Sequence, residues 1–156
     1  MACYLFIAST LHPFDRPPMP GADVYDLMMS HQCWEVTANA PHFKKMKPGD
    51  TLIFYLGGAK ARYIAGEAVI AADPTPITKD SPVTFDRTQI PYFTSRLPLR
   101  DIVRYEPGRV GLDVVEKLSF ARDSKVERKY LGLLLRNGCR TLTSEDLALI
   151  RARSKA

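Results

Sequence analysis

Residues 47–71 constrain this chain more tightly than any other stretch. Lys47-Pro48-Gly49-Asp50 is a tight-turn sequence in which proline sets one dihedral and glycine supplies a positive one. TLIFYL at 51–56 follows as a strand, then a reversal at Gly57-Gly58 with Ala59 and Lys60, then a returning strand over 62–71. Gly66 inside the second strand predicts a bulge or a close backbone approach. A hairpin of this kind needs further strands to cover its apolar face.

Those partners are visible on both sides. Residues 4–8 (YLFIA) read as a buried strand ended by Ser9 and Thr10, and 33–36 as a short extended piece. Residues 97–105 alternate enough to make another strand with Pro98 at its start, and 140–142 add a brief one. The proline-rich 12–21 and 72–82 are loops, whereas 83–94 reads equally as strand or coil. Helices are predicted from Asp23, as the cap, through Met29, as one turn at 41–45, over 111–118 and over 125–136. A last one starts at Thr143-Ser144-Glu145-Asp146, with Leu147 and Ile150 inward. Twelve prolines and nine glycines favour short strands over long helices. The predicted fold class is therefore α+β: a small mixed barrel of five to six strands flanked by short helices, one domain over 1–156.

Composition narrows the function classes. No apolar run reaches the roughly 20 residues that a bilayer-spanning helix needs, and the start, MACYLFIAST, lacks a basic leader, so a cytoplasmic protein without a membrane partner is expected. Cys3, Cys33 and Cys139 are odd in number and widely spaced, which suits core packing. His12, His31 and His42 lack zinc spacing, so neither a metal nor a cofactor is expected. The net charge of +5 is uneven: residues 1–121 balance, whereas residues 122–156 hold nine basic against four acidic side chains. That flank is either a phosphate footprint or a solvated helix face.

Just ahead of the hairpin the sequence sets Trp34 and Asn39 beside basic residues. Tryptophan stacks on flat rings and asparagine pairs with a polar edge, so this combination suits an unpaired or flipped nucleobase. Tyr55 and Tyr63 are candidates for closing the walls, and Lys44, Lys45, Lys47, Lys60 and Arg62 for holding phosphates. Each residue also has a plainer reading. Trp34 can be core, Asn39 can cap the turn begun by Pro41, Ser9 and Thr10 can simply end a strand, and the two tyrosines can pack across the hairpin. A Lys60, Tyr63 and Glu67 constellation could do acid–base work, although no spacing compels it, and a protein-interaction module is also compatible with the balanced body.

The order of these features resembles an EVE domain, of the PUA-like group that also holds YTH and ASCH modules. The resemblance runs through YLFIAS, the W-x-V/T-x-N segment (Trp34, Val36, Thr37, Asn39) and the M-K-x-G-D turn (Met46, Lys47, Gly49, Asp50). It continues through Phe54-Tyr55, the strand with Ile64, Gly66, Glu67, Ala68 and Val69, Leu118 with Phe120, and Thr143, Glu145 and Asp146. It implies a PUA-like barrel and a non-catalytic reader of DNA or RNA carrying a modified base, methylated or hydroxymethylated; the alternative is an ASCH-like ribonuclease or RNA-binding regulator. It implies base contacts from Ser9, Thr10, Trp34, Val36, Asn39, Tyr55, Leu56, Gly57 and Tyr63. Backbone contacts are expected from Lys44, Lys45, Lys60, Arg62, Lys125 and Arg128. Trp34 is the only tryptophan, so a second wall has to come from Tyr55, Tyr63, Tyr92, Phe93 or Tyr105.

Overall fold

The computed structural model describes residues 1–11, 17–37, 40–58, 61–78, 93–124, 127–135 and 138–156. Its strands are β1 (Cys3–Ala8), β2 (Cys33–Val36), β3 (Thr51–Leu56), β4 (Tyr63–Ile70), the two-residue β5 (Thr75–Pro76), β6 (Ser95–Arg104) and β7 (Cys139–Leu142). The helices are α1 (Gly21–Ser30), α2 (Leu112–Val115), α3 (Ser119–Ser124), α4 (Leu131–Leu134) and α5 (Ser144–Ser154), with 3-10 turns at Phe43–Lys45 and Arg128–Tyr130. The strands form one mixed sheet in the order β2-β6-β4-β3-β1-β7, and β5 joins at β6. Among the described strands only β1 and β3 pair in parallel.

The sheet is curled. In strand order β2 lies four places from β1, about 19 Å at the usual spacing in a flat sheet. Yet the ring centroids of Trp34 on β2 and Phe6 on β1 are 5.7 Å apart, and Trp34 lies 4.8 Å from Phe54 on β3. The strands wrap around this aromatic group as a half-closed barrel.

Period-two alternation then sorts each strand onto two faces. Phe6, Ala8, Leu52, Phe54, Leu56, Trp34 and Val36 pack inside the curl with α1. Cys3, Leu5, Ile53, Tyr55 and Ile64 pack on the other face beneath the helices after β6. Two bulges maintain this sorting. Ala65 is the extra residue where Phe54 pairs Gly66 and Tyr55 pairs Ile64, and a second shift on β6 coincides with Asp101 at φ +52°. At Gly66 a Cβ would collide with the Tyr25 hydroxyl and the Val103 carbonyl, so α1 and β6 approach the backbone too closely for any side chain.

The hairpin turn is anchored as its sequence suggests. Gly49 takes φ +93°, and the buried Asp50 carboxylate accepts from the N–H groups of Ala2 and Lys47, both at 3.1 Å, tying the turn to β1. At α5, Thr143 and Asp146 form a reciprocal cap, and the Asp146 carboxylate also accepts from Ser119 N–H and Oγ at 2.9 and 2.6 Å.

Two predicted helices need correction. Helix α1 is capped by Pro20 with no side-chain hydrogen bond, and Asp23 sits in its first turn instead of at its cap. The helix predicted over 125–136 is divided: a 3-10 turn precedes the short α4, with Gly132 in its middle and Leu131 drawn into the core. Positions 125, 126 and 136 of that stretch lie outside the described residues. Among the described residues no helix is long and apolar enough to cross a membrane.

Candidate functional site

The half-closed barrel leaves a seam. Strands β1 and β2 share Trp34–Phe6 packing but no pairing, and a cavity of about 320 Å³ opens between them. Phe6, Ala8 and Ser9 line it from β1 and just beyond, Trp34, Val36 and Thr37 from β2, and Val24 and Met28 from α1. Ile7, Leu11, Glu35, Ala40, Pro41, Phe93 and Gly138 complete the wall. The volume and the mostly apolar lining with a few polar groups at the rim are those of a small-ligand site.

Trp34 occupies two positions at once in this geometry. Its side chain is core, 5% exposed and wedged on Phe6 and Phe54, and it is also part of the cavity wall. Packing on two rings fixes the indole plane before any ligand arrives, which lowers the ordering cost of stacking against it. Beside it Glu35, whose side chain is fully buried, accepts from Arg96 Nη2 at 2.6 Å and Nε at 3.1 Å, bracing β2 on β6.

A second cavity, about 780 Å³, lies on the other face of the same strand end. Ile7 and Ser9 belong to both cavities. Tyr55, Leu131 and Leu135 make the apolar part of the second, Gly57 and Gly58 its hairpin side, and Arg62, Arg128 and Lys129 its cations. Arg62, at φ +62°, donates from Nε to the Gly58 carbonyl at 3.2 Å, and Arg128 grips Glu116 through two hydrogen bonds of 2.6 and 2.7 Å. The Tyr55 hydroxyl is pushed up by burial, opposed by the neighbouring Arg62 charge, and so remains a neutral donor at pH 7.

The residues singled out in the sequence are thus divided. Ser9, Trp34 and Val36 meet at the first cavity; Thr10 follows Ser9, half-buried, outside the wall. Tyr55 and Gly57 line the second cavity, because alternation turns Tyr55 away from Trp34. Leu56 is buried in the Trp34 cluster without reaching the cavity, and Tyr63, paired with Leu56, packs half-buried against that cluster. Tyr55 and Tyr63 are consequently on opposite faces and do not close one pocket together. Of the five aromatics considered for a second wall, Phe93 lines the first cavity and Tyr105 belongs to the opposite cluster. Lys44 and Lys45 are exposed just after Pro41, and Arg62 and Arg128 border the second cavity. Asn39, Lys60, Tyr92 and Lys125 lie outside the described residues. Sequence reasoning missed Phe6 and Lys129 as lining residues. Phe6 was discoverable from the alternation that already marked β1, and Lys129 carried no signal beyond its charge.

The basic flank is largely paired. Arg122, Arg128, Lys129, Arg151 and Arg153 all make ion pairs, with Asp123, Glu116, Glu127, Glu67 and Asp113 respectively. The acid–base constellation considered for 60–67 is not assembled either. Glu67 faces α5, where Arg151 donates at 2.9 and 3.1 Å and the Tyr105 hydroxyl donates as well, whereas Tyr63 packs on the opposite face. Burial raises the Glu67 carboxyl, but the Arg151 and Tyr105 hydrogen bonds outweigh it and hold the group below the usual glutamate value. Burial pushes the Cys3 and Cys139 thiols up to about 12, which removes them as nucleophiles near neutral pH. Among the described residues no group of three or more His, Cys, Asp or Glu could hold a metal.

The family model for the EVE domain matches residues 23–152. The human THYN1 protein, solved in complex with 5-methylcytosine-containing DNA, is 18% identical, with 100% of this chain and 99% of that chain covered and a TM-score of 0.55. Protein PSPTO5229 from Pseudomonas syringae is also 18% identical, over 98% and 99%, with a TM-score of 0.60. The Mmi1 YTH domain, solved with RNA, is 11% identical over 96% and 79%, at a TM-score of 0.50. These likenesses show a shared fold. Among curated proteins none matches.

Proposed function

This chain belongs to the EVE domain family, and on that premise we propose that it is a cytoplasmic, non-catalytic nucleic-acid-binding protein that reads a single modified base. The carrying observation is the seam cavity, with the indole of Trp34 held in its wall and Ser9 at its rim. The base enters unpaired or flipped. Flipping costs a few kcal/mol, and stacking on one aromatic side chain returns about 1–3 kcal/mol, so rim hydrogen bonds must supply the remainder. A methyl group settled among Val24, Met28 and Val36 adds about 1 kcal/mol, which corresponds to roughly fivefold to tenfold discrimination. Lys44, Lys45, Arg62 and Arg128 hold phosphates, which makes binding salt-dependent. The DNA bound to THYN1 and the RNA bound to the YTH domain support this class of ligand, and the first of them supports a methylated base.

Because Trp34 is the sole tryptophan, its fluorescence reports the site directly. Short single-stranded oligonucleotides carrying 5-methylcytosine, 5-hydroxymethylcytosine, N6-methyladenine or no modification are titrated at low salt. One modified oligonucleotide is expected to quench the indole and to bind about fivefold to tenfold more tightly than its unmodified counterpart. Absence of both quenching and binding across the panel would refute the reading, and cleavage of labelled RNA would replace it with a ribonuclease.

A further inference from the structure

We propose that the second cavity takes the nucleotide adjoining the bound base, so that the ligand is a dinucleotide step of one strand laid across the end of β1 at Ser9. This rests on the reading that the first cavity holds the base.

Continuity is the first argument. The two cavities share Ile7 and Ser9, so a chain leaving one passes over Ser9, which is exposed, into the other. A ligand filling both must be joined there, as neighbouring nucleotides are. Charge is the second. Among the described residues no lysine or arginine lines the first cavity, and its one charged lining residue, Glu35, is paired with Arg96, whereas Arg62, Arg128 and Lys129 line the second. A base with a neutral edge suits the former, and a phosphodiester belongs beside the latter. Size is the third argument: about 780 Å³ against about 320 Å³ leaves space for a whole nucleotide where the first cavity takes only a ring. Tyr55 gives the sugar or the second base an apolar surface with a hydroxyl donor.

The ion pair between Arg128 and Glu116 gives the site a built-in brake. Glu116 occupies two guanidinium donors that would otherwise serve a phosphate. Its removal should strengthen binding, an effect that damage to the fold would not mimic.

The test compares 5-methyldeoxycytidine, its 3′- and 5′-monophosphates and dinucleotides modified at either position, followed by Trp34 quenching and calorimetry. The modified base serves as probe and is exchanged for the best one found in the oligonucleotide panel. One dinucleotide is expected to bind at least tenfold more tightly than the nucleoside. R62N, in which asparagine tolerates the left-handed backbone, is expected to shrink that advantage about tenfold and to lower the salt slope by about one. E116Q is expected to enlarge it a few-fold. A dinucleotide no tighter than a nucleoside that still quenches Trp34 would overturn this inference and leave the base-reading intact. Failure of every nucleoside, nucleotide and oligonucleotide to bind would bring down the base-reading itself. Inorganic phosphate or an unmodified nucleoside diphosphate binding as tightly as the dinucleotide, without quenching, would make the second cavity an independent anion site and overturn the proposal.

Discussion

The cavity beside Trp34 is cut into an apolar cluster, and its wall is made of the side chains that hold the barrel together. The cavity beside Arg62 and Arg128 lies over the opposite cluster, and its charged wall consists of side chains standing in solvent. On the proposed reading, a residue of the first wall would serve folding and binding at once, while a cation of the second would serve binding almost alone. Selectivity built from core residues is rigid and costly to alter, and affinity built from surface cations can be tuned one charge at a time.

The sharpest way to break this comparison is Trp34→Ala. Loss of an indole packed on Phe6 and Phe54 should cost about 3–5 kcal/mol in urea unfolding and abolish base binding as well. A loss below about 1 kcal/mol would mean that the wall is not core. Gly66→Ala comes next, at about 3 kcal/mol by the same measurement, because one of the atoms a Cβ would meet is the Val103 carbonyl, which cannot rotate away. Glu67→Gln, on the opposite face, should cost about 1–2 kcal/mol through the weakened Arg151 and Tyr105 hydrogen bonds, discounted because Arg151 is partly in solvent. Its pH signature has a definite sign. The folded carboxyl titrates below its ordinary value of 4.5, so its contribution is complete above that value and is lost as pH falls through the folded one. Thermal melts of the wild type from pH 6 to 3 should fall more steeply than those of the Gln variant, and parallel curves would exclude Glu67 as the source. The smallest effect on stability belongs to the cationic wall. Arg128→Gln should leave the urea unfolding midpoint nearly unchanged while flattening the salt dependence of oligonucleotide binding. A large stability loss there would make that wall structural too.

How much of this was legible follows from the range of each signal. The turn at Lys47–Asp50 could be read locally because proline and glycine set the backbone dihedrals themselves. The cap of α5 could be read because Thr143 and Asp146 lie within one turn of each other. Strands β3 and β4 carried their own apolar runs. The helix expected over 125–136 failed because Gly132 and the pull of Leu131 into the core outweighed a regular spacing of apolar residues. Trp34 stood out by its chemistry and Ser9 only through the family resemblance, and their meeting depends on β1 and β2 lying across a seam, which no local pattern encodes.

Residue chemistry and period alone determined that this chain makes short strands, where its tightest turn falls, and which aromatic could stack on a ring, since those are properties of neighbours along the backbone. Tertiary structure decided which face each side chain serves. Alternation sends Tyr55 and Tyr63 to opposite sides of the sheet, and the extra Ala65 keeps Phe54 and Gly66 on the Trp34 face. It also decided that β2 curls back toward β1 without pairing to it, which leaves an aromatic hollow and a cationic one meeting at Ser9. Both outcomes arise from strand order and curvature, and these are settled by contacts between segments far apart in the chain.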